Sequence, residues 1–289
     1  MRILIFLSVL TFVACSNESK SSYLNDIEHT KEYFKNGQLR KIGKYNRKGL
    51  QEGEWKYYHE NGQLKSIGNF VNGKLEGEYK SYYENGQLKF LLKIVNGKME
   101  GEWKYYYKNG QAEWTLEYLN GAPDGEWKYY YKNGQTKWIQ DYVNGIPSGE
   151  WKWSHENGQL KRIGRYVNGK KEGEWMDYHK NGQLESVEKY VSGLKKGEYK
   201  SYHENGQLAE IGNYIGTEFG EWKEFYKNGQ LESIGNYFNG TKDREWKYYH
   251  DNGQLAEIGN YIYDIKNGEW KKYYKNGQVE EIKVYQNIN

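Results

Sequence analysis

The tripeptide Asn-Gly-Gln recurs eleven times, with its Gln at 38, 63, 87, 111, 135, 159, 183, 207, 230, 254 and 278. Successive copies stand 24 residues apart, with one step of 25 and one of 23. A fixed period of this length marks a repeat architecture, in which each unit is one supersecondary element that must stack on its neighbours. Asn-Gly between hydrophobic runs is the strongest short hairpin signal, because both central residues of a type I′ turn need φ > 0. A second turn of the same kind follows in most units, as at Asn72-Gly73, Asn96-Gly97, Asn120-Gly121, Asn144-Gly145, Asn168-Gly169 and Asn239-Gly240. Each unit therefore holds two strands of about six to eight residues joined by type I′ turns. Pro123 and Pro147 fall just past the second turn, where no ladder donor is required. The predicted fold is all-β: an elongated, single-layer, twisted antiparallel β-meander of eleven hairpin repeats over residues 31–289. At about 4.8 Å per strand, each repeat advances about 10 Å and the whole ribbon about 100 Å.

Aliphatic side chains are too few for a conventional core, and rings take their place: 31 Tyr, 11 Trp and 8 Phe, 17% of the chain. They fall in columns. One column reads Trp55, Tyr79, Trp103, Trp127, Trp151, Trp175, Tyr199, Trp222, Trp246 and Trp270. Three residues on, all but Ser154 are Tyr or Phe, and four residues on the column divides evenly between Tyr and His (His59, His155, His179, His203, His250). On the second strand, Tyr45, Phe70, Tyr118, Tyr142, Tyr166, Tyr190, Tyr214, Tyr237, Tyr261 and Tyr285 share a column broken only by Ile94. Ring positions at zero, three and four do not fit strict alternation, so either the first strand carries a bulge or both faces are partly covered. Stacked rings contribute about 0.5–1.5 kcal/mol per pair beyond area burial.

The first fourteen residues read as an export signal. Arg2 supplies a positive start, Ile3 to Val13 is apolar apart from Ser8 and Thr11, and the run is too short to span a bilayer. Phe12-Val13-Ala14-Cys15 resembles a bacterial lipobox, which implies lipidation at Cys15, the only cysteine in the chain. Residues 15–30 are then a flexible tether, and the mature chain has no disulfide. Ser16 resembles an outer-membrane sorting position, so the expected location is the cell envelope, at the outer membrane or cell surface where two membranes exist. With 42 basic and 39 acidic side chains the net charge is +3, which argues against nucleic acid as the main partner.

The unit Gly-Glu-Trp-x-x-Tyr…Asn-Gly, as at Gly173-Glu174-Trp175 and Asn181-Gly182, resembles the MORN repeat, and more closely its bacterial variant found in YwqK-type antitoxins. The resemblance covers Lys31 to Asn289. It implies an elongated β-meander that binds protein or lipid without catalysis, and its antitoxin branch implies neutralisation of a toxin.

No arrangement of Ser, His and Asp or of Cys and His suggests a nucleophile, and no phosphate-binding loop is present. The histidine column reads as packing: neighbours one repeat apart are about 10 Å distant by the ladder spacing, whereas zinc ligands lie about 2 Å from their metal. Glu after Gly and Lys after Trp recur in register and are expected to pair across strands on a solvated face. No metal and no cofactor is expected. The informative departures lie mid-chain. Three residues after each Gln the side chain is polar, except for Phe90, Trp114 and Trp138 in consecutive units, with Trp153 beside them. Two readings remain open. The rings form an exposed stripe for a partner, or they refill volume lost where Leu after Gln is replaced by Ala112 and Thr136, positions that simple parity puts on the same face. The expected function is a non-catalytic, envelope-anchored scaffold that recognises another protein. Toxin neutralisation, cell-wall glycan binding and phospholipid binding are the alternatives.

Overall fold

The computed structural model describes residues 29–286. They form one open antiparallel sheet of 24 strand segments, each hydrogen-bonded to its neighbours in chain order from His29–Tyr33 to Val279–Tyr285. Two strands are interrupted, Lys98–Met99 from Gly101–Tyr106 and Ala122–Pro123 from Gly125–Tyr130. With each interrupted pair taken as one strand, every repeat supplies two. The first strand includes His29 and Thr30, assigned above to the tether, which pair with Lys44 and Gly43. The signal segment, Cys15 and most of the tether lie outside the described residues.

In most repeats the two turns are different objects; the first repeat uses the same three-residue loop twice, its second ending at Gly49 (φ 73°). At the second turn Asn72 (φ 49°) and Gly73 (φ 78°) are both left-handed, the type I′ geometry expected. At Asn-Gly-Gln only the glycine is left-handed, for example Gly62 at φ 83°. There Gly62 N donates to His59 O (2.9 Å) and His59 N to Gln63 O (2.8 Å), a three-residue loop of a type I turn followed by a left-handed glycine. The type I′ expectation therefore fails at this turn, because its asparagine serves as a hydrogen-bonding hub and not as a left-handed residue. Asn61 Oδ1 accepts from Gln63 N (3.0 Å), while its Nδ2 donates to Glu84 O of the following repeat (2.9 Å).

Register explains the ring spacing, and of the two readings left open it is the covering of both faces, not a bulge among the rings of the first strand, that holds. The first strand alternates regularly from Gly53 to Tyr58, so Trp55 and Tyr58 point to opposite faces and both faces are covered. The bulge lies on the second strand: Tyr57 pairs with Ser66 but Tyr58 with Leu64, leaving Lys65 as the extra residue. The same shift recurs at Glu113 and Lys137. A further irregularity between repeats falls at the glycine two residues before the Trp column, such as Gly53 at φ 71°.

One face carries the Trp column, the residue two after it, and the second-strand Tyr column. Trp55, Trp175 and Trp246 are at most 1% exposed although only one sheet covers them. Each lies flat on a glycine of the preceding repeat. A Cβ on Gly43 would stand 2.2 Å from Trp55 Cδ2, and one on Gly164 2.1 Å from Trp175 Cδ2. Trp55 Nε1 donates to Lys44 O (3.0 Å), and Tyr45 meets the indole edge-to-face at 4.8 Å. The Trp–Gly pair lets a single-layer sheet bury its largest side chains.

The other face carries the charges. Lys56 pairs with Glu54 of its own strand (2.8 Å), and the same pair recurs at Lys80–Glu78, Lys104–Glu102 and Lys223–Glu221. The expected cross-strand pairing does not occur, because each lysine stands opposite an uncharged residue on its neighbours, as Lys56 does opposite Ile42 and Ile67 and Lys104 opposite Leu91 and Thr115. These pairs are solvent-exposed, at 39% and 59% for Lys56 and Glu54, and surface pairs of this kind stabilise by about 0–1 kcal/mol.

Candidate partner-binding face

Adjacent repeats are fastened by the column that alternates His and Tyr. Nε2 of His59, His155, His179, His203 and His250 lies 2.7–3.0 Å from a backbone carbonyl of the next repeat, and the hydroxyls of Tyr83, Tyr107, Tyr131 and Tyr226 donate to the same carbonyl position at 2.7–3.0 Å. The shared requirement is a ring carrying one donor at its far end, which is why the two residue types interchange. Among the described residues no group of three His, Cys, Asp or Glu could hold a metal ion.

The mid-chain rings form one line. Backbone pairing places Phe90 opposite Tyr105, Tyr105 opposite Trp114, Trp114 opposite Tyr129, Tyr129 opposite Trp138, and Trp138 opposite Trp153. Six rings thus stand on six consecutive strands, about 5 Å apart, twice the density expected from the second strands alone. Tyr105 and Tyr129, which complete the row, belong to first strands. Neighbouring rings stack: Phe90 on Tyr105 at 6.1 Å and 5°, Tyr105 on Trp114 at 5.3 Å and 19°, Tyr129 on Trp138 at 5.3 Å and 25°. Trp153 ends the row against Trp151 and Trp175, both at 5.9 Å. All six are half-buried.

The bulge removes the parity argument for refilled volume. Tyr105 pairs with Trp114 and Tyr106 with Ala112. Tyr105 and Tyr106 are successive residues of a regular strand, so Trp114 and Ala112 point to opposite faces. The same shift separates Trp138 from Thr136. Neither Trp can occupy the space left by the missing leucine.

Two further columns change in the same repeats. The glycine beneath the Trp column becomes Leu92, Leu116 and Gln140. Trp103 and Trp127, standing over the two leucines, are half-buried where their counterparts on glycine are buried. Four residues before the Trp column the middle repeats carry Met99, Pro123 and Pro147, where later repeats carry Lys171, Lys195, Lys242 and Lys266, with Glu218 the one exception. Those lysines lie over rings, Lys171 Nζ 4.2 Å from Trp175, Lys242 4.1 Å from Trp246 and Lys266 3.9 Å from Trp270. Burial pulls Lys171 and Lys242 below the ordinary lysine value. The prolines suit their place for a backbone reason as well: each offers only a carbonyl, which accepts from the next turn's glycine, Gly145 N to Pro123 O at 2.6 Å and Gly169 N to Pro147 O at 3.0 Å. Reading the column before Trp across repeats would have found the exchange of lysine for Met and Pro.

The patch has a sharp end. Beyond Trp153 the row continues as Arg162, Asp177, Ser186, Ser201, Glu210 and Glu224. Arg162 grips Asp177 through two bonds of 2.6 and 2.7 Å, and Ser186 Oγ donates to the same carboxylate (3.3 Å). A groove of about 520 Å³ lies there, lined by Trp153, Arg162, Asp177 and Ser186 with the bulge residues Lys161 and Glu185. Between Phe90 and Trp153 the ring-bearing face is therefore aromatic, aliphatic, Met and Pro apart from the neutral Gln140, and its first charges are the bulge residues Lys89, Glu113 and Lys137. Glu113 accepts from Tyr129 OH (3.2 Å) and Lys137 lies 5.5 Å from the Tyr129 ring.

The family model described as the MORN repeat variant matches eleven segments: 29–47, 51–72, 75–96, 99–121, 123–144, 147–168, 171–191, 195–215, 220–239, 245–263 and 266–287. The chain belongs to the MORN repeat variant family. MORN repeats are often protein- or membrane-binding. No curated protein matches this MORN chain. Among solved structures it is similar to the TCP10 domain of Danio rerio CPAP in complex with a STIL peptide, with 12% identity, 89% of this chain and 100% of that one covered, and a TM-score of 0.28. It is similar also to TcdB2-TccC3, with 11% identity, 89% of this chain, 18% of that one and a TM-score of 0.20. A porin-like protein from Bacteroides uniformis shares 9% identity over 78% of this chain and 91% of its own, with a TM-score of 0.17.

Proposed function

We propose that this MORN repeat chain is a non-catalytic scaffold, held at the cell envelope by a lipid on Cys15, whose mid-ribbon ring face docks another protein. The observation that carries the reading is the unbroken six-ring row from Phe90 to Trp153, bordered by Met99, Pro123 and Pro147 and cleared of the lysines that cover the same face further along. Enrichment in aromatics and Met with depletion of charge is the composition of interface cores. The stacked pairs turn their faces toward each other along the row, so ring edges and not ring faces are offered outward. That arrangement suits apolar protein side chains better than sugar rings, which stack on open aromatic faces. Phospholipid is disfavoured by the lysines, which are interleaved with glutamates on the opposite face and not gathered into a basic patch.

Trp114→Ala with Trp138→Ala tests the docking face. Each ring, if central to an interface, contributes about 2 kcal/mol or more to binding, so the pair should weaken crosslinked capture of the partner from intact cells by about 1,000-fold, with purified cell-wall glycan as a parallel bait. Unchanged capture, or capture by glycan instead, overturns the reading. Cys15→Ser should release the chain from membranes, and unchanged fractionation removes the lipid anchor from the account.

A further inference from the structure

Nine of the ten junctions between repeats use the same three side-chain contacts, the first junction lacking the ring bond because Phe34 carries no donor, and the two ends of the ribbon each lack one half of them. At the last internal junction, Asn252 Nδ2 donates to Lys275 O (3.0 Å), His250 Nε2 meets Tyr273 O (2.8 Å), and Gln254 lies over Gly277. At ten of the eleven turn glycines the preceding repeat's Gln covers the Cα in this way, at Gly62 only 2.9 Å from where a Cβ would stand.

The final repeat has these groups, and among the described residues no further repeat pairs with it. Tyr274, in the His/Tyr column, is 51% exposed, and Asn276 Nδ2 turns back to Gln278 Oε1 (3.3 Å). Along the final strand Val279, Ile282 and Val284 are 51%, 53% and 73% exposed, although counterparts such as Leu255 and Ile258 are half-buried. The first repeat has the opposite deficit. Nothing lies over Gly37, Tyr33 is 59% exposed, and the carbonyls of Tyr33 and Lys35 hold the positions that accept from a preceding repeat elsewhere, Tyr58 O behind Phe34 excepted. Among the described residues no strand pairs with the outer side of either His29–Tyr33 or Val279–Tyr285.

We propose that copies of this chain join head to tail, the final strand of one pairing antiparallel with the first strand of the next in the register of the internal junctions. Ile258 pairs with Lys271 and Glu257 with Lys272 inside the chain, so Ile282 stands opposite Lys31 and Glu281 opposite Glu32. The row already tolerates one such carboxylate pair, Glu210 opposite Glu224, and Glu32 is held by Lys41 at 2.7 Å. The lone asparagine and tyrosine donors of one end meet the open carbonyls of the other, and Gln278 covers Gly37. Two like ends brought together would match donors with donors, so the junction is heterologous and does not close on itself. An unpaired strand edge is a ready template for this pairing, and a second copy is the occupant whose side-chain pattern fits it.

The test is disulfide trapping of the full chain in its own membrane. Lys31→Cys with Ile282→Cys, both at exposed positions, should give on oxidation a ladder of dimers, trimers and tetramers above the background of the parent chain, which carries only Cys15. Paired antiparallel residues bring their Cα atoms within disulfide reach. Ile258→Cys with Lys271→Cys, an internal junction pair, should close within single chains under the same treatment and so report a folded, oxidised ribbon. Each single variant of the first pair should stay at background. A monomer band for Lys31→Cys/Ile282→Cys while the internal pair closes overturns the proposal, whether the ends are bare or covered by residues before His29. Dimers from Ile282→Cys alone overturn it too, since they join like ends.

Discussion

The placement of Trp114 and Ala112 on opposite faces can be tested as a double-mutant cycle of Trp114→Ala and Ala112→Leu. Removing the Trp114 ring forfeits its stack with Tyr105 at 5.3 Å and 19°, about 0.5–1.5 kcal/mol. It also forfeits the burial of part of a large apolar surface, so a total of about 1–3 kcal/mol is expected. Ala112→Leu restores the residue found after Gln in most repeats and fills space on the far face, beside Tyr106, for a gain of about 0.5–1 kcal/mol. Because the sheet separates the two side chains, the effects should add within about 0.5 kcal/mol. If Trp114 instead fills the space vacated at 112, Ala112→Leu in the presence of Trp114 overpacks and in its absence rescues, a coupling of about 1–3 kcal/mol. Urea unfolding followed by far-UV circular dichroism gives the four stabilities. A coupling above about 1 kcal/mol refutes the face assignment and with it the main reason to regard the ring row as a surface.

Gly164→Ala should destabilise by about 1–3 kcal/mol, because its Cβ would stand 2.1 Å from Trp175 Cδ2 and the indole must lift, shifting tryptophan emission to the red; a loss under about 0.5 kcal/mol contradicts the Trp–Gly pairing. His179→Tyr should be close to neutral, since a tyrosine hydroxyl reaches the same carbonyl in four other repeats, whereas His179→Phe should lose about 1–3 kcal/mol by leaving Tyr202 O without its 2.8 Å partner. Equal losses in the two variants, read from thermal melts, would show that the ring and not its donor matters. Burial, reinforced by Glu224 and Glu218, pushes the Glu210 carboxyl above its ordinary value of 4.5. The folded chain then holds a proton that the unfolded chain releases, so its contribution to stability rises as pH falls from neutral toward 4.5. Glu210→Gln should raise the melting temperature at pH 7 and flatten that rise; an unchanged slope would show that the carboxyl is not strained.

The repeat, its two-strand unit and the all-β ribbon were legible because Asn-Gly-Gln fixes both period and turn positions. What escaped was local backbone geometry. An Asn-Gly pair reads the same in a type I′ turn and in a type I turn followed by a left-handed glycine, and only the cross-repeat bond from Asn61 to Glu84 O distinguishes their roles. One extra residue at Glu113 reverses every later side chain of its strand, which is why parity placed Trp114 and Ala112 together wrongly. Phe90, Trp114 and Trp138 stood out as departures from a polar column, with Trp153 beside them. Their continuity did not, because Tyr105 and Tyr129 look ordinary until register sets them between the others.

The most direct test of the docking face is site-specific photocrosslinking in intact cells, with a photoreactive phenylalanine at Tyr105 or Tyr129 on the ring face and at the adjacent Lys104 or Lys128 on the charged face. A single discrete adduct is expected from 105 and 129, none from 104 and 128, and the adduct should vanish when Trp138→Ala is added. Adducts of equal yield from both faces, or from 104 and 128 alone, contradict the account.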